Sequence, residues 1–195
     1  LSRGLGDVYK RQIVSCVPFG ESLSGLKHLV FCHPALTRDI FIKSCTPAIE
    51  TSEIVHIHLI FNNNDVEFMT ASLDRQYPDR ETLVRVYRGL RDLYIDRNND
   101  PVPIEEILEK VNIDEKELVV SNCIAILEEI SLVERHVSNG KIAVSVPSTQ
   151  ERRDLLESPL YARGNRIKSG WAEFSGFMLR RTADDIQKML IEAIL

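Results

Sequence analysis

The stretch PVPIEEILEKVNIDEKELVVSNCIAILEEISLVERHVSNGKIAVSVP, from Pro101 to Pro147, decides the fold. Pro101 and Pro103 open it, and proline suits the first turn of a helix because its missing N–H has no intrahelical partner to lose. Ile104, Ile107, Leu108 and Val111 then recur at helical spacing. Asp114 is a candidate N-cap, and Glu117 three residues later completes a capping-box pattern. The run that follows carries Val120, Ile124, Leu127 and Ile130 on one face. Ser138-Asn139-Gly140 is a turn signal between two short alternating segments. A short helix, a longer helix and a β-hairpin in that order predict a winged helix-turn-helix.

Such a module usually suggests DNA, and its charge argues otherwise. Glu105, Glu106, Glu109, Asp114, Glu115, Glu117, Glu128, Glu129 and Glu134 face only Lys110, Lys116, Arg135 and Lys141, a net −5 that equals the charge of the whole chain. DNA affinity comes largely from neutralising phosphates with Lys and Arg. A recognition helix beginning Asp114-Glu115-Lys116-Glu117 repels a phosphate backbone, so the module reads as structural or protein-facing.

Working outward, 195 residues with 44% hydrophobic and 27% charged content can bury a core and hold one large or two small domains. No run approaches the roughly 18 apolar residues that a membrane helix needs, and the expectation is a cytoplasmic protein with no membrane partner. Cys16, Cys32, Cys45 and Cys123 show no metal-type spacing and read as buried thiols in a reducing compartment. Leu1–Gln12, LSRGLGDVYKRQ, looks like translated adaptor read-through and is set aside as a non-native leader, with the true upstream part missing.

Residues 13–73 read as a small α/β segment. His28–Cys32 is a short apolar strand, Ala35–Cys45 has helical spacing, and Ile54–Phe61 is a second strand. Asn62-Asn63-Asn64-Asp65 reads as a turn into a third strand, Val66–Thr70, giving a βαβ unit with an added hairpin strand. Residues 74–163 make a helix followed by the winged helix. Asp74–Arg97 is read as one helix with Leu83, Val86, Tyr87, Leu90, Leu93 and Tyr94 as its buried stripe. Its Arg80, Arg88 and Arg91, beside Tyr87 and Tyr94, are the candidate partner-binding residues, with a plain solvated face as the alternative. Residues 164–195 form a helical tail. There Trp171, Phe174 and Met178 fall on a core-like stripe, and Thr182 caps a last helix, Ala183–Leu195. The fold class is therefore α/β in the α+β sense.

Catalytic chemistry is not legible. No Gly-rich phosphate loop, nucleophile elbow, HExxH or Asp/His cluster occurs, so no catalytic residue and no metal ligand is assigned. His56 and His58 share one face of a strand, a spacing compatible with a metal, but no third ligand is evident in sequence.

Three stretches carry a resemblance. Tyr77-Pro78-Asp79-Arg80-Glu81-Thr82-Leu83, running on to Val86-Tyr87-Arg88-Gly89-Leu90-Arg91, resembles the PxRExLxxxYRxLR helix near the end of bacterial RecJ. Leu127-Glu128-Glu129-Ile130-Ser131-Leu132-Val133 is similar to that family's xLEELGLV segment, with Ser131 where the family has Gly. Arg152-Arg153-Asp154-Leu155-Leu156-Glu157-Ser158-Pro159-Leu160-Tyr161 resembles its KxDLxxSxxY signature, with Arg152 in place of Lys. The resemblance spans roughly Leu29 to Leu195 and implies the C-terminal part of a single-stranded-DNA-specific 5′ to 3′ exonuclease of DNA repair and recombination. It implies a manganese- or magnesium-dependent DHH-type core that this sequence lacks, with single-stranded DNA reached through that core. It also implies protein partners, single-strand-binding protein with its acidic, apolar-ended tail among them. The alternative is a free-standing winged-helix transcriptional regulator that binds duplex DNA.

Overall fold

The computed structural model describes residues 26–49, 54–113, 116–148 and 153–193. The leader 1–12, Cys16 and the candidate cap Asp114 lie outside them. The protein mixes helix with small sheets, in the order β1 (His28–Phe31), α1 (Arg38–Ile49), β2 (His56–Leu59), α2 (Asn63–Gln76), α3 (Arg80–Asp96), β3 (Val102–Pro103), α4 (Ile104–Lys110), α5 (Lys116–Glu129), β4 (Glu134–Ser138), β5 (Lys141–Ser145), α6 (Pro159–Arg180) and α7 (Ala183–Glu192). No helix among the described residues is long and apolar enough to cross a membrane. Two compact units divide the chain: Asn62–Leu179 is one, and the residues through Phe61 with those from Arg180 onward are the other.

In the larger unit, α3, α4 and α5 share one core with a three-stranded antiparallel sheet of order β3-β5-β4. Leu83, Val86 and Leu90 from α3 meet Ile107 from α4, Val120, Ile124 and Leu127 from α5, and Val102 and Val144 from the sheet. The expected α3 stripe is thus buried, with Tyr87, Leu93 and Tyr94 half-buried at its margin. Asn139 (φ 50°) and Gly140 (φ 75°) form the two-residue turn between β4 and β5, both left-handed as a tight hairpin requires. At the end of α5 the Leu132 N–H donates to Leu127 O at 2.9 Å and the Ser131 N–H to Glu128 O at 3.0 Å. That pair of bonds is a Schellman cap. It places Ser131 at φ 57°, a left-handed position that favours glycine.

The segments that carry the resemblance are largely caps. Asp79 accepts the Thr82 N–H at 2.8 Å and starts α3. Asp154 accepts the Leu156 N–H at 3.0 Å and closes a short 3₁₀ turn, Leu155–Glu157. Ser158 sits before Pro159 and accepts the Tyr161 N–H at 3.1 Å, while its own hydroxyl donates to Glu129. The same Glu129 oxygen accepts the Leu160 N–H at 3.0 Å. A carboxylate at the end of α5 therefore caps the positive end of α6. Helix α6 runs close beside the start of α3: a Cβ built on Gly164 would lie 2.7 Å from the Tyr77 ring. Lys168 bridges Asp74 at 2.6 Å and the Tyr77 carbonyl at 3.1 Å.

Three readings of secondary structure need correction. Val66–Thr70 is no strand but part of α2, because Asn62 and Asp65 form a reciprocal cap instead of a hairpin turn: the Asn64 N–H donates to Asn62 at 2.7 Å and the Asn62 N–H to Asp65 at 2.8 Å. Alternation at Val66, Phe68 and Thr70 misled; Val66, Met69 and Leu73, at helical spacing, are the covered positions, and Phe68 is exposed. The single helix Asp74–Arg97 is two, broken at Tyr77, since the residue before Pro78 is driven out of the helical region. Helix α6 begins at Pro159, well before the aromatic run.

In the smaller unit, β1 and β2 pair in parallel, His28 opposite His56 and Val30 opposite His58. Helix α1 joins them and lays its buried Phe41 5.0 Å from Phe31 between ring centroids. The βαβ reading holds for these three elements. Thr182 caps α7 as expected, its hydroxyl accepting the Asp185 N–H at 3.3 Å. The cap holds the Asp185 carboxyl below its ordinary pKa, with the backbone hydrogen bond to Thr182 as the main cause.

Candidate functional site

The sequence candidates all lie on α3. One turn is about 3.6 residues, so Arg80, Tyr87, Arg91 and Tyr94 line up along one side, with Arg88 a little round from it. Arg80, Arg88 and Arg91 are exposed, and Tyr87 and Tyr94 are half-buried against the core. Two residues join them that sequence reading missed: Val84 is 37% exposed and Ile95 is 56% exposed. Both sit on the arginine side, four residues after Arg80 and four after Arg91. Their spacing was readable, but an apolar residue on a helix defaults to the core until burial says otherwise.

From Arg80 to Arg91 the stripe runs about 16 Å at 1.5 Å per residue. Among the described residues none of its three arginines makes an ion pair. The helix's other cations do: Arg85 bridges Glu81 at 3.3 Å and Arg97 bridges Glu106 at 2.9 Å. The stripe thus offers guanidinium donors beside exposed aliphatic and aromatic surface. That combination suits a carboxylate-bearing, apolar-ended peptide.

The exposed face of α5 offers the reverse. Glu117, Leu118, Ser121, Glu128 and Glu129 are its exposed described positions, and Glu128 is bridged by Arg135 at 2.8 Å. No cation of α5 itself stands there among the described side chains.

The aromatic run of α6 is core, as its spacing implied. Trp171, Phe174 and Met178 are buried, and the Trp171 Nε1–H donates to Thr70 at 2.8 Å. Cys45 and Cys123 are buried as expected, and burial pushes both thiols up to about 12, with the Asp79 charge adding to the effect at Cys123. Cys32 corrects the expectation: it is exposed, at the end of β1. The His56 and His58 side chains are exposed, and His28 from the neighbouring strand joins them, its Nδ1 2.9 Å from His58 Nε2. As the side chains stand, no group of three or more His, Cys, Asp or Glu among the described residues is arranged to hold an ion.

No family model, no curated protein and no solved structure matches the chain. The functional reading therefore rests on its own residues and on the motif resemblance.

Proposed function

We propose that this chain is the accessory, partner-binding region of a RecJ-like single-stranded-DNA-specific 5′ to 3′ exonuclease, cytoplasmic and acting in DNA repair and recombination. In this reading α3 to β5 form a winged helix: the order helix, short strand, helix, helix, hairpin supports it, as does the pairing of β3 with β5. The hydrolytic chemistry, with its manganese or magnesium, belongs to a core that this sequence does not contain. Single-stranded DNA is engaged through that core.

The observation that carries the reading is the contrast between two helices of one unit. The α5 face that would enter a DNA groove presents carboxylates, whereas α3 presents three arginines that make no ion pair among the described residues, beside exposed Val84 and Ile95. An acidic tail with an apolar end, such as that of single-strand-binding protein, fits the second surface. The guanidinium groups take its carboxylates, and Val84 with the tyrosines takes its apolar terminus.

Fluorescence anisotropy with a labelled acidic, apolar-ended peptide tests this. The intact chain binds it, and the double variant Arg88→Glu/Arg91→Glu weakens binding by roughly tenfold or more, equivalent to about 1.4 kcal/mol or more. Unchanged affinity in that variant refutes the assignment. The purified chain degrades no single-stranded DNA with manganese; metal-dependent degradation overturns the accessory reading. The alternative, a duplex-binding regulator, requires affinity for duplex DNA that falls steeply with salt.

A further inference from the structure

The three histidines of the parallel sheet are a second, chemically distinct feature. His56 and His58 project from one face of β2, and the parallel register puts His28 of β1 directly beside His56. The ring centroids of His28 lie 5.3 Å from His56 and 5.2 Å from His58, and His56 and His58 are 6.4 Å apart. All three residues are exposed, while Leu29 between them in register faces the covered side. Parallel sheets are ordinarily buried on both faces. Three imidazoles gathered on such a face do nothing for packing.

We propose that His28, His56 and His58 form a three-nitrogen site for a borderline divalent transition metal, with zinc as the type ion. An ion held by imidazoles at about 2.1 Å sets neighbouring ligand nitrogens roughly 3.0–3.4 Å apart and their ring centroids roughly 5 Å apart. The His28 Nδ1 to His58 Nε2 separation of 2.9 Å is close to that bite already, and two of the three centroid spacings match it. The His56–His58 pair must close, and rotation of the exposed side chains is the freedom available for it. The ion replaces the hydrogen bond that now joins His28 and His58.

The donor set fixes the metal class. Imidazole suits zinc, copper and nickel, whereas magnesium and manganese prefer oxygen ligands. The site is therefore separate in chemistry from the manganese or magnesium of a nuclease core. Three protein ligands leave a position for water or for a donor from a partner.

Isothermal titration calorimetry of the untagged chain with zinc chloride is the test. One ion binds per chain. His28→Ala, His56→Ala and His58→Ala each weaken it about tenfold or more, His136→Ala in the other unit leaves it unchanged, and magnesium gives no binding heat. Each variant keeps the parent urea midpoint, because the side chains removed are exposed. Cobalt(II) gives visible d–d absorption that the same three variants abolish. Absence of zinc binding overturns the site, as does binding that survives any one of the three substitutions or is lost with His136→Ala. Insensitivity to His28→Ala alone reduces it to an adventitious histidine pair and equally overturns it.

Discussion

Val102 and Val144 face each other across β3 and β5 with no solvent exposure, whereas the paired positions at the start of β1 and β2 hold His28 and His56, both exposed. The first pair belongs to a three-stranded antiparallel sheet and the second to a two-stranded parallel one, and the sheets differ in what their paired positions bury. In the larger unit Val102 and Val144 are continuous with the core of α3, α4 and α5. Among the described residues of the smaller unit, Phe41 and its neighbours cover one face of the sheet. Burial accounts for Val102 and Val144 in the first sheet, while most of β4 lies exposed. It accounts for alternate residues of the second, Leu29, Phe31, Ile57 and Leu59, and the exposed remainder is three imidazoles and Val30.

The sharpest way to break this contrast is to remove apolar bulk from each sheet's neighbourhood. Ile107→Ala, at a fully buried site, destabilises the larger unit by about 2–5 kcal/mol, because a cavity is left in a closed core. Val30→Ala, on the half-exposed histidine face, changes stability by less than about 0.5 kcal/mol. Urea unfolding of both variants checks this, and equal losses would erase the distinction between the sheets.

Next in size is Gly164→Ala. Its new Cβ would meet the Tyr77 ring at 2.7 Å, and Tyr77 is itself buried and unable to swing away. Overpacking of this kind costs about 1–3 kcal/mol, more than the gain in helix propensity returns. A rise in melting temperature would show that α6 does not sit against Tyr77.

Smaller still is Asp79→Ala, at about 1 kcal/mol for a lost N-cap. The Thr82 N–H holds the Asp79 carboxyl below its ordinary value of 3.8. A carboxyl depressed on folding adds stability above its unfolded pKa and loses it as pH falls through the folded one. The gap between parent and variant is therefore full at neutral pH and shrinks below about pH 4. Stability measured at both ends of that range decides it. The smallest effect has the opposite sign: Ser131→Gly relieves the left-handed position after α5 and stabilises by about 0.5–1 kcal/mol.

Much of the larger unit was legible because its signals are local. Asn139-Gly140 is a turn by its own chemistry, Thr182 a cap by its own, and the stripe Leu83, Val86 and Leu90 repeats within a single helix. What sequence missed depends on choices between local signals or on tertiary pairing. Asn62 to Asp65 serves a turn or a cap equally well, and only covering of Val66, Met69 and Leu73 selects the helix. His28 is 28 residues from His56, and nothing short of the β1–β2 register places the two side by side. Val84 and Ile95 were readable as positions on the arginine side, yet their exposure is set by the absence of a described element over that face. The motifs behind the family resemblance prove to be mostly caps and helix joints, at Asp79, Ser131, Asp154 and Ser158. They specify architecture, and the stripe on α3 is where the same segment turns outward.

That stripe is best tested by amide chemical-shift mapping on the isotope-labelled chain during titration with an acidic, apolar-ended peptide. Perturbations concentrated between Arg80 and Ile95, fading as salt is raised, are the expected result. Shifts confined to Glu117–Glu128, or none at saturating peptide, would contradict the assignment of α3 as the docking surface.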